Sequence, residues 1–198
     1  LADQNFTTAT DAHNTAIGAV AGAVITTGIR NTLIGSEAGD ALTDADNNVA
    51  VGALALTADT LGSRNTAIGR GALRDQNFTT ATDSYNVAVG YSAGLIVTTG
   101  VQNTLIGGLA GDAQTIGADN VALGFEALSG ETQSSRNTAI GRGALKAQNI
   151  GTNSNSYNTA VGAIAGLALT SGIQNTFIGG NTAGSASSGN DNVCVGYN

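Results

Sequence analysis

The chain has no proline, no methionine and no tryptophan among its 198 residues. Average usage would give about ten prolines in such a length. Their absence points to a backbone whose N–H groups are nearly all needed as donors in an extended ladder. One cysteine, Cys194, cannot make an internal disulfide. One histidine, no nucleophile elbow, no phosphate loop and no recurring carboxylate pair leave nothing from which to assemble a catalytic centre. The chain is therefore expected not to be an enzyme and to carry no cofactor. Basic residues number seven against fourteen acids, a net charge of −7. That balance lacks the positive footprint needed for nucleic acid or an anionic membrane. No apolar run approaches the roughly 20 residues of a membrane span, and no signal peptide is visible. What the chain has instead is glycine, 29 residues of it, and many alanines. An interior built from such small residues is expected to be narrow.

These residues are arranged in a repeat, which is the first thing to establish in any chain. The word is Asn, Thr or Val, usually Ala, then Ile, Val or Leu, then Gly. Its asparagines are Asn14, Asn31, Asn48, Asn65, Asn86, Asn103, Asn120, Asn137, Asn158, Asn175 and Asn192. Its glycines are Gly18, Gly35, Gly52, Gly69, Gly90, Gly107, Gly124, Gly141, Gly162, Gly179 and Gly196. Three units of 17 residues and one of 21 make a 72-residue super-repeat, so "DQNFTTATD" at Asp3 returns at Asp75. Four unit types follow in order, starting at Asn14, Asn31, Asn48 and Asn65. Both ends fall in mid-unit, and the expectation is a window from a longer array.

Seventeen residues are too few for the common two-helix repeats, and the glycine density disfavours helix. The word alternates like a strand, with Thr15 and Ile17 on one face and Asn14, Ala16 and Gly18 on the other. The fold class is read as all-β: a parallel β-solenoid, of the β-roll or β-helix kind, with one rung per unit. Residues 1–198 form one repeat domain of about eleven rungs. Stacked at ~4.8 Å, they make a rod ~50 Å long. The Ile/Val/Leu column is expected to be the core stripe, with the Thr column on the same inward face. The invariant glycine is expected at a corner that needs positive φ or has no room for a Cβ. The asparagines are expected to hydrogen-bond along the rod and to supply turn geometry. Alanine seven residues after each asparagine marks a second inward corner, shifting in the tenth rung from position 182 to Ala183. Cys194 sits at a small inward position aligned with Ala50 and Ala122. A strand apolar on both faces needs two packing partners. The roll interior supplies one, and a neighbouring chain is expected to supply the other.

The Asn-x-x-Ile-Gly word with its trailing alanine resembles the head repeats of trimeric autotransporter adhesins. Its longer "NTAIGxxAG" form resembles repeat regions of phage tail fibres. The resemblance runs from Asn14 to Gly196, although the adhesin unit is typically shorter. It implies a homotrimer or other homo-oligomer, located on a virion or cell surface, with no membrane insertion. The function so implied is a structural or adhesive fibre segment. A carbohydrate-binding solenoid module and a self-assembling extracellular filament subunit are the alternatives.

The candidate sites are the features that break the rhythm. The long segments at 70–85 and 142–157, with a partial copy at 1–13, carry the four-residue insertions. Phe6, Phe78 and Ile150 align in them, as do His13, Tyr85 and Tyr157, while Asp83 lies beside Tyr85. Phe6, Phe78, Asp83, Tyr85, Ile150 and Tyr157 are candidate receptor or inter-chain contacts, with a cell-surface glycan or protein as partner; the alternative is a surface bulge with its Phe folded onto the rod. Arg64, Arg70, Arg74, Arg136, Arg142 and Lys146 cluster in and around the fourth unit type. They are expected as solvated charge or as inter-chain ion pairs. The column preceding each asparagine is mostly polar and expected to face solvent. The acidic turns at 44–48, 117–120 and 189–192 lack the nonapeptide calcium-roll pattern, so no metal is assigned. An ice-binding plane is disfavoured, because Val49, Val87, Val121 and Val193 interrupt the Thr column.

Overall fold

Each asparagine-to-glycine word forms a three-residue strand, and the eleven strands run from Thr15–Ile17 to Val193–Val195. They form one parallel sheet in chain order, in register throughout: Thr15 faces Thr32, Ala16 faces Leu33 and Ile17 faces Ile34. The structure is a computed structural model that describes residues 11–185 and 187–197. Phe6 lies outside the described residues. Among the described residues there is no helix, and hence none long and apolar enough to cross a membrane. The chain is a parallel β-solenoid of eleven rungs with 17-residue spacing, as its periodicity predicts.

Both ends of each strand are set by backbone geometry. All eleven word glycines have φ between 128° and 141°. A Cβ on Gly18 would stand 2.4 Å from the Gly35 carbonyl oxygen, so conformation and crowding both require glycine here. At the other end the left-handed residue is not the asparagine but the one before it. His13, Arg30, Tyr85 and their equivalents have φ of 51° to 64°. Such conformations cost roughly 1–2 kcal/mol in a non-glycine residue. They aim the N–H along the rod, where Arg30 donates to the Ala12 carbonyl (2.7 Å) and Gln102 to Ser84 (2.7 Å). Backbone donors elsewhere in the rung do the same, which accounts for the missing proline.

The two strand faces are opposite to the sequence expectation. The Ile/Val/Leu and Thr/Val columns point outward: Ile17 is 60% exposed, and Ile68, Leu123 and Ile178 are exposed as well. The inward columns are the asparagines and the residues two further on. Ala50, Ala67, Ala88, Leu105 and Phe177 are all fully buried. The roll is too narrow for a large side chain on every rung, so mostly alanine fills that column. Cys194 takes the same inward position, half-buried, in the last rung.

Packing explains the 72-residue period. In the second unit type, Leu33 and Leu105 are each paired with a glycine six residues later, and Phe177 with Ala183. A Cβ on Gly39 would lie 2.8 Å from Leu33 Cδ2, and one on Gly111 2.8 Å from Leu105 Cδ2. In the third and fourth types the sizes are exchanged, as in Ala50 with Leu56 and Ala67 with Leu73. The first type has a small residue at both places, and its neighbours fill the gap. Leu73 from the rung before and Leu105 from the rung after both reach Gly94 (3.0 and 2.8 Å to a built Cβ). Leu145 and Phe177 meet at Gly166 in the same way. The alanine corner is inward as expected, with Ala38 through Ala165 buried. In the tenth rung there is no shift: Thr182 itself occupies the inward position and donates to the Gly196 carbonyl (2.5 Å).

Candidate functional surfaces

An internal asparagine ladder fixes the register on which every surface depends. Each side-chain oxygen accepts from the backbone N–H of the next asparagine, as in Asn48 N–H to Asn31 Oδ1 (2.9 Å) and Asn120 N–H to Asn103 Oδ1 (3.0 Å). Most side-chain amides also donate to a carbonyl 14 residues on, such as Asn31 to Ala45 (2.7 Å) and Asn103 to Gly117 (2.9 Å). Asn31 through Asn175 are buried. Bridging between rungs was legible in the sequence; the complete burial was not.

A second ladder escaped the sequence reading. Twelve residues after the asparagine, threonine recurs at Thr26, Thr43, Thr60, Thr98, Thr115, Thr132 and Thr170. Its hydroxyls donate to the next rung, for example Thr43 to the Thr60 carbonyl (3.1 Å) and Thr115 to Thr132 (2.8 Å). These donors are committed internally. The strand threonines do face outward, contrary to expectation, but valines still interrupt them and isoleucines accompany them. Neither column makes an open plane of hydroxyls.

The long segments are organised by a third feature missed in the sequence. Eleven residues after the asparagine lies an inward column that mixes Ile25 and Leu42 with Asp59, Gln76, Gln114, Glu131 and Gln148, all fully buried. Asp59 accepts from the Gly62 and Phe78 N–H groups (3.0 and 3.1 Å) and from the Gln76 amide (2.6 Å). Glu131 reaches further: it accepts from three consecutive N–H groups, Thr132, Gln133 and Ser134 (2.9–3.0 Å), and from Gln148 (3.0 Å). The glutamines pass the network on to Asn86 (2.8 Å) and Asn158 (3.0 Å). Burial drives the Asp59 carboxyl above its ordinary range, more than its hydrogen bonds lower it. Burial acts on Glu131 in the same direction, but its larger set of donors prevails and holds it below the ordinary range. The signal available was an acid and a glutamine recurring at one offset near each insertion.

Phe78 is consequently a buried anchor, 6% exposed, rather than a displayed contact, and Ile150 is half-buried. Residues beyond it return to the rod: Thr82–Asp83 pairs with Gly62–Ser63, and Asn155 bridges to Ser135. The exposed members are Asp83, Tyr85 and Tyr157. They form clusters within the chain. Arg64 pairs with Asp83 (2.8 Å) and lies over the Tyr85 ring (5.5 Å). Arg136 lies over Tyr157 (5.5 Å), donates to its hydroxyl (2.5 Å) and meets Asp119 (3.6 Å). Arg74 pairs with Asp75 and Lys146 with Glu126. The acidic turns serve the stack as well, Asp46 accepting from the Ile29 N–H (2.8 Å). No group of three or more His, Cys, Asp or Glu suited to a metal ion occurs among the described residues.

The largest uniform surface is the outer sheet face. Its 22 outward strand positions are Thr, Val, Ile or Leu in every rung, without one charge. The strip is ~50 Å long and, three residues wide, ~10 Å across, on the order of 500 Å². That is as large as the largest apolar patch of a typical monomer, about 300–600 Å². No protein-family model matches the chain, and no curated protein or solved structure shows significant similarity to it.

Proposed function

We propose that the chain is a structural fibre segment, extracellular, on a virion or cell surface, that works as a homo-oligomer with its outer sheet faces turned together. The observation that carries this reading is the outer face, 22 positions without a charge. A second copy matches it on three grounds. The face is periodic, with the same two outward positions on every rung, and so is its counterpart. It is free of charge, so like meets like without repulsion. Its area, about 500 Å² per chain, supplies the greater part of the ~800 Å² per partner of a standard stable interface. Three faces about one axis give the trimer that the repeat's resemblance to adhesin heads and tail fibres implies. The mechanical role follows from the stack, in which backbone, asparagine and threonine hydrogen bonds all run along the axis.

Sedimentation equilibrium tests the proposal. A trimer mass is expected for the native chain, with dissociation to folded monomer when Ile106→Glu and Ile140→Glu are combined. A monodisperse monomer with an intact β spectrum at micromolar concentration would overturn the oligomeric reading. A dimer would retain the interface and reject the trimer.

A further inference from the structure

The residue before each strand asparagine forms a straight column along one edge of the sheet, and its side chains share a property beyond polarity. All eleven carry a planar end group: imidazole, guanidinium, amide, carboxylate or phenol. From the third rung the order is Asn or Asp, Arg, Tyr, Gln, repeated every 72 residues. Ten of the eleven are exposed. Tyr85 and Tyr157 are each 48% exposed, and each is steadied by the arginine of the preceding rung. Gln102 and Gln174 follow on the next rung. The two tyrosines are four rungs apart, ~19 Å along a rigid axis.

We propose that this column is a binding track for an extended neutral polysaccharide, with Tyr85 and Tyr157 as stacking platforms and the flanking amides and carboxylates as hydrogen-bond partners. An aromatic body with a polar tip suits the C–H face of a sugar ring, and neighbouring planar polar groups suit its hydroxyls. The charges select against acidic ligands. Arg64 is already paired with Asp83 and Arg136 meets Asp119, while the chain as a whole carries −7. Of the column's three arginines only Arg30, three rungs from Tyr85, lacks an ion pair, so a sulfated or uronic polymer would find no uncompensated column arginine beside either tyrosine. A peptide adding as a strand is also disfavoured, since eight of the column's eleven residues spend their backbone donors along the axis on neighbouring rungs. Repetition at a fixed spacing fits a linear polymer with repeating rings, which gains avidity once it spans both platforms. The track lies at the sheet's edge, two residues before the first outward strand position of each rung.

Native gel electrophoresis of the full chain through hydroxyethyl cellulose, dextran, mannan or heparin tests the inference. Retardation by at least one neutral polymer is expected, with none by heparin. Combining Tyr85→Ala and Tyr157→Ala should abolish it, and either change alone should weaken polymer binding more than tenfold through lost avidity. Should the double variant lose its β spectrum, Gln102→Ala with Gln174→Ala is expected to weaken retardation in a folded chain. Absence of retardation in all three neutral polymers overturns the proposal. So does retardation by heparin alone, or unchanged retardation of the folded variants.

Discussion

Gln114 has the buried column's one unsatisfied side chain, and replacing it with leucine should stabilise the protein. The side chain is fully buried, and neither its Nε2 nor its Oε1 has a partner. The reason is its place in the stack. Gln76 and Gln148 each follow a rung that supplies an acid, but the rung before Gln114 supplies Val97. The Asn86 and Asn158 amides each donate both to a carbonyl and to their glutamine, whereas the Asn120 amide donates to the Ser134 carbonyl (3.0 Å) and not to Gln114. Each unpaired end of a buried amide costs about 1–3 kcal/mol. Leucine fits the wall, because Leu42 occupies the aligned position above the same Leu–Gly pair 72 residues earlier. Allowing ~1–3 kcal/mol for imperfect packing, relieving both ends by Gln114→Leu should gain about 2 kcal/mol. Gln148→Leu supplies the contrast. It removes the Gln148 donor to Glu131, which keeps its three backbone N–H groups, and one of the two acceptors of the Asn158 amide, and should cost about 1–3 kcal/mol for each lost bond. Urea unfolding followed by circular dichroism measures both, provided the slope of the transition is unchanged. A neutral or destabilising Gln114→Leu refutes the reasoning, since it would mean the amide is satisfied within the fold.

Asn103→Ala removes an acceptor for the Asn120 N–H and a donor to Gly117, both buried. It should cost about 2–5 kcal/mol, and hydrogen exchange should quicken first at residues 117–120. Gly107→Ala places a methyl group 2.4 Å from the Gly124 oxygen at a φ of 135°; two proteolytic fragments divided near that rung are expected under limited digestion. The two buried acids should give opposite pH slopes. Glu131, held below its unfolded value, contributes stability that is present above the ordinary carboxyl range and lost as pH falls through its folded pKa. Glu131→Gln should therefore narrow its deficit in acid. Asp59, raised, favours folding at low pH and loses that contribution as pH climbs through its folded value. Asp59→Asn should improve relative to the native chain across the same climb, and urea midpoints at several pH values decide both.

The solenoid was legible because its signals were strict: spacing gave the rung, and an unbroken glycine column gave the corner. Which strand face looks inward was not. Orientation is normally marked by polar residues on one side, and here both sides are small or apolar. Bulk then suggested Ile17 and its column for the interior, whereas the narrow roll admits alanine and asparagine. Asparagine is itself ambiguous, equally at home in a turn, and only the left-handed φ at Arg30 or Tyr85 assigns the turn to its neighbour. The buried acids were hidden because their column changes chemistry from rung to rung, from Ile25 and Leu42 to Asp59 and Gln76. Whether Phe78 is displayed or folded onto the rod stayed open for the same cause, since nothing in its own segment reveals the carboxylate that draws its backbone in.

The exchange of bulk among neighbouring rungs has a genetic corollary. Deleting the 17 codons of the rung at Asn86 would bring Leu73 and Leu105, which now share the space at Gly94, into collision. Duplicating that rung would leave a void between two glycines. Copying all 72 codons reproduces every neighbour and disturbs nothing. Unequal recombination can therefore lengthen or shorten such a gene only in whole super-repeats. Natural length variants of this rod should differ by multiples of ~19 Å, and single-rung indels should be purged as misfolded.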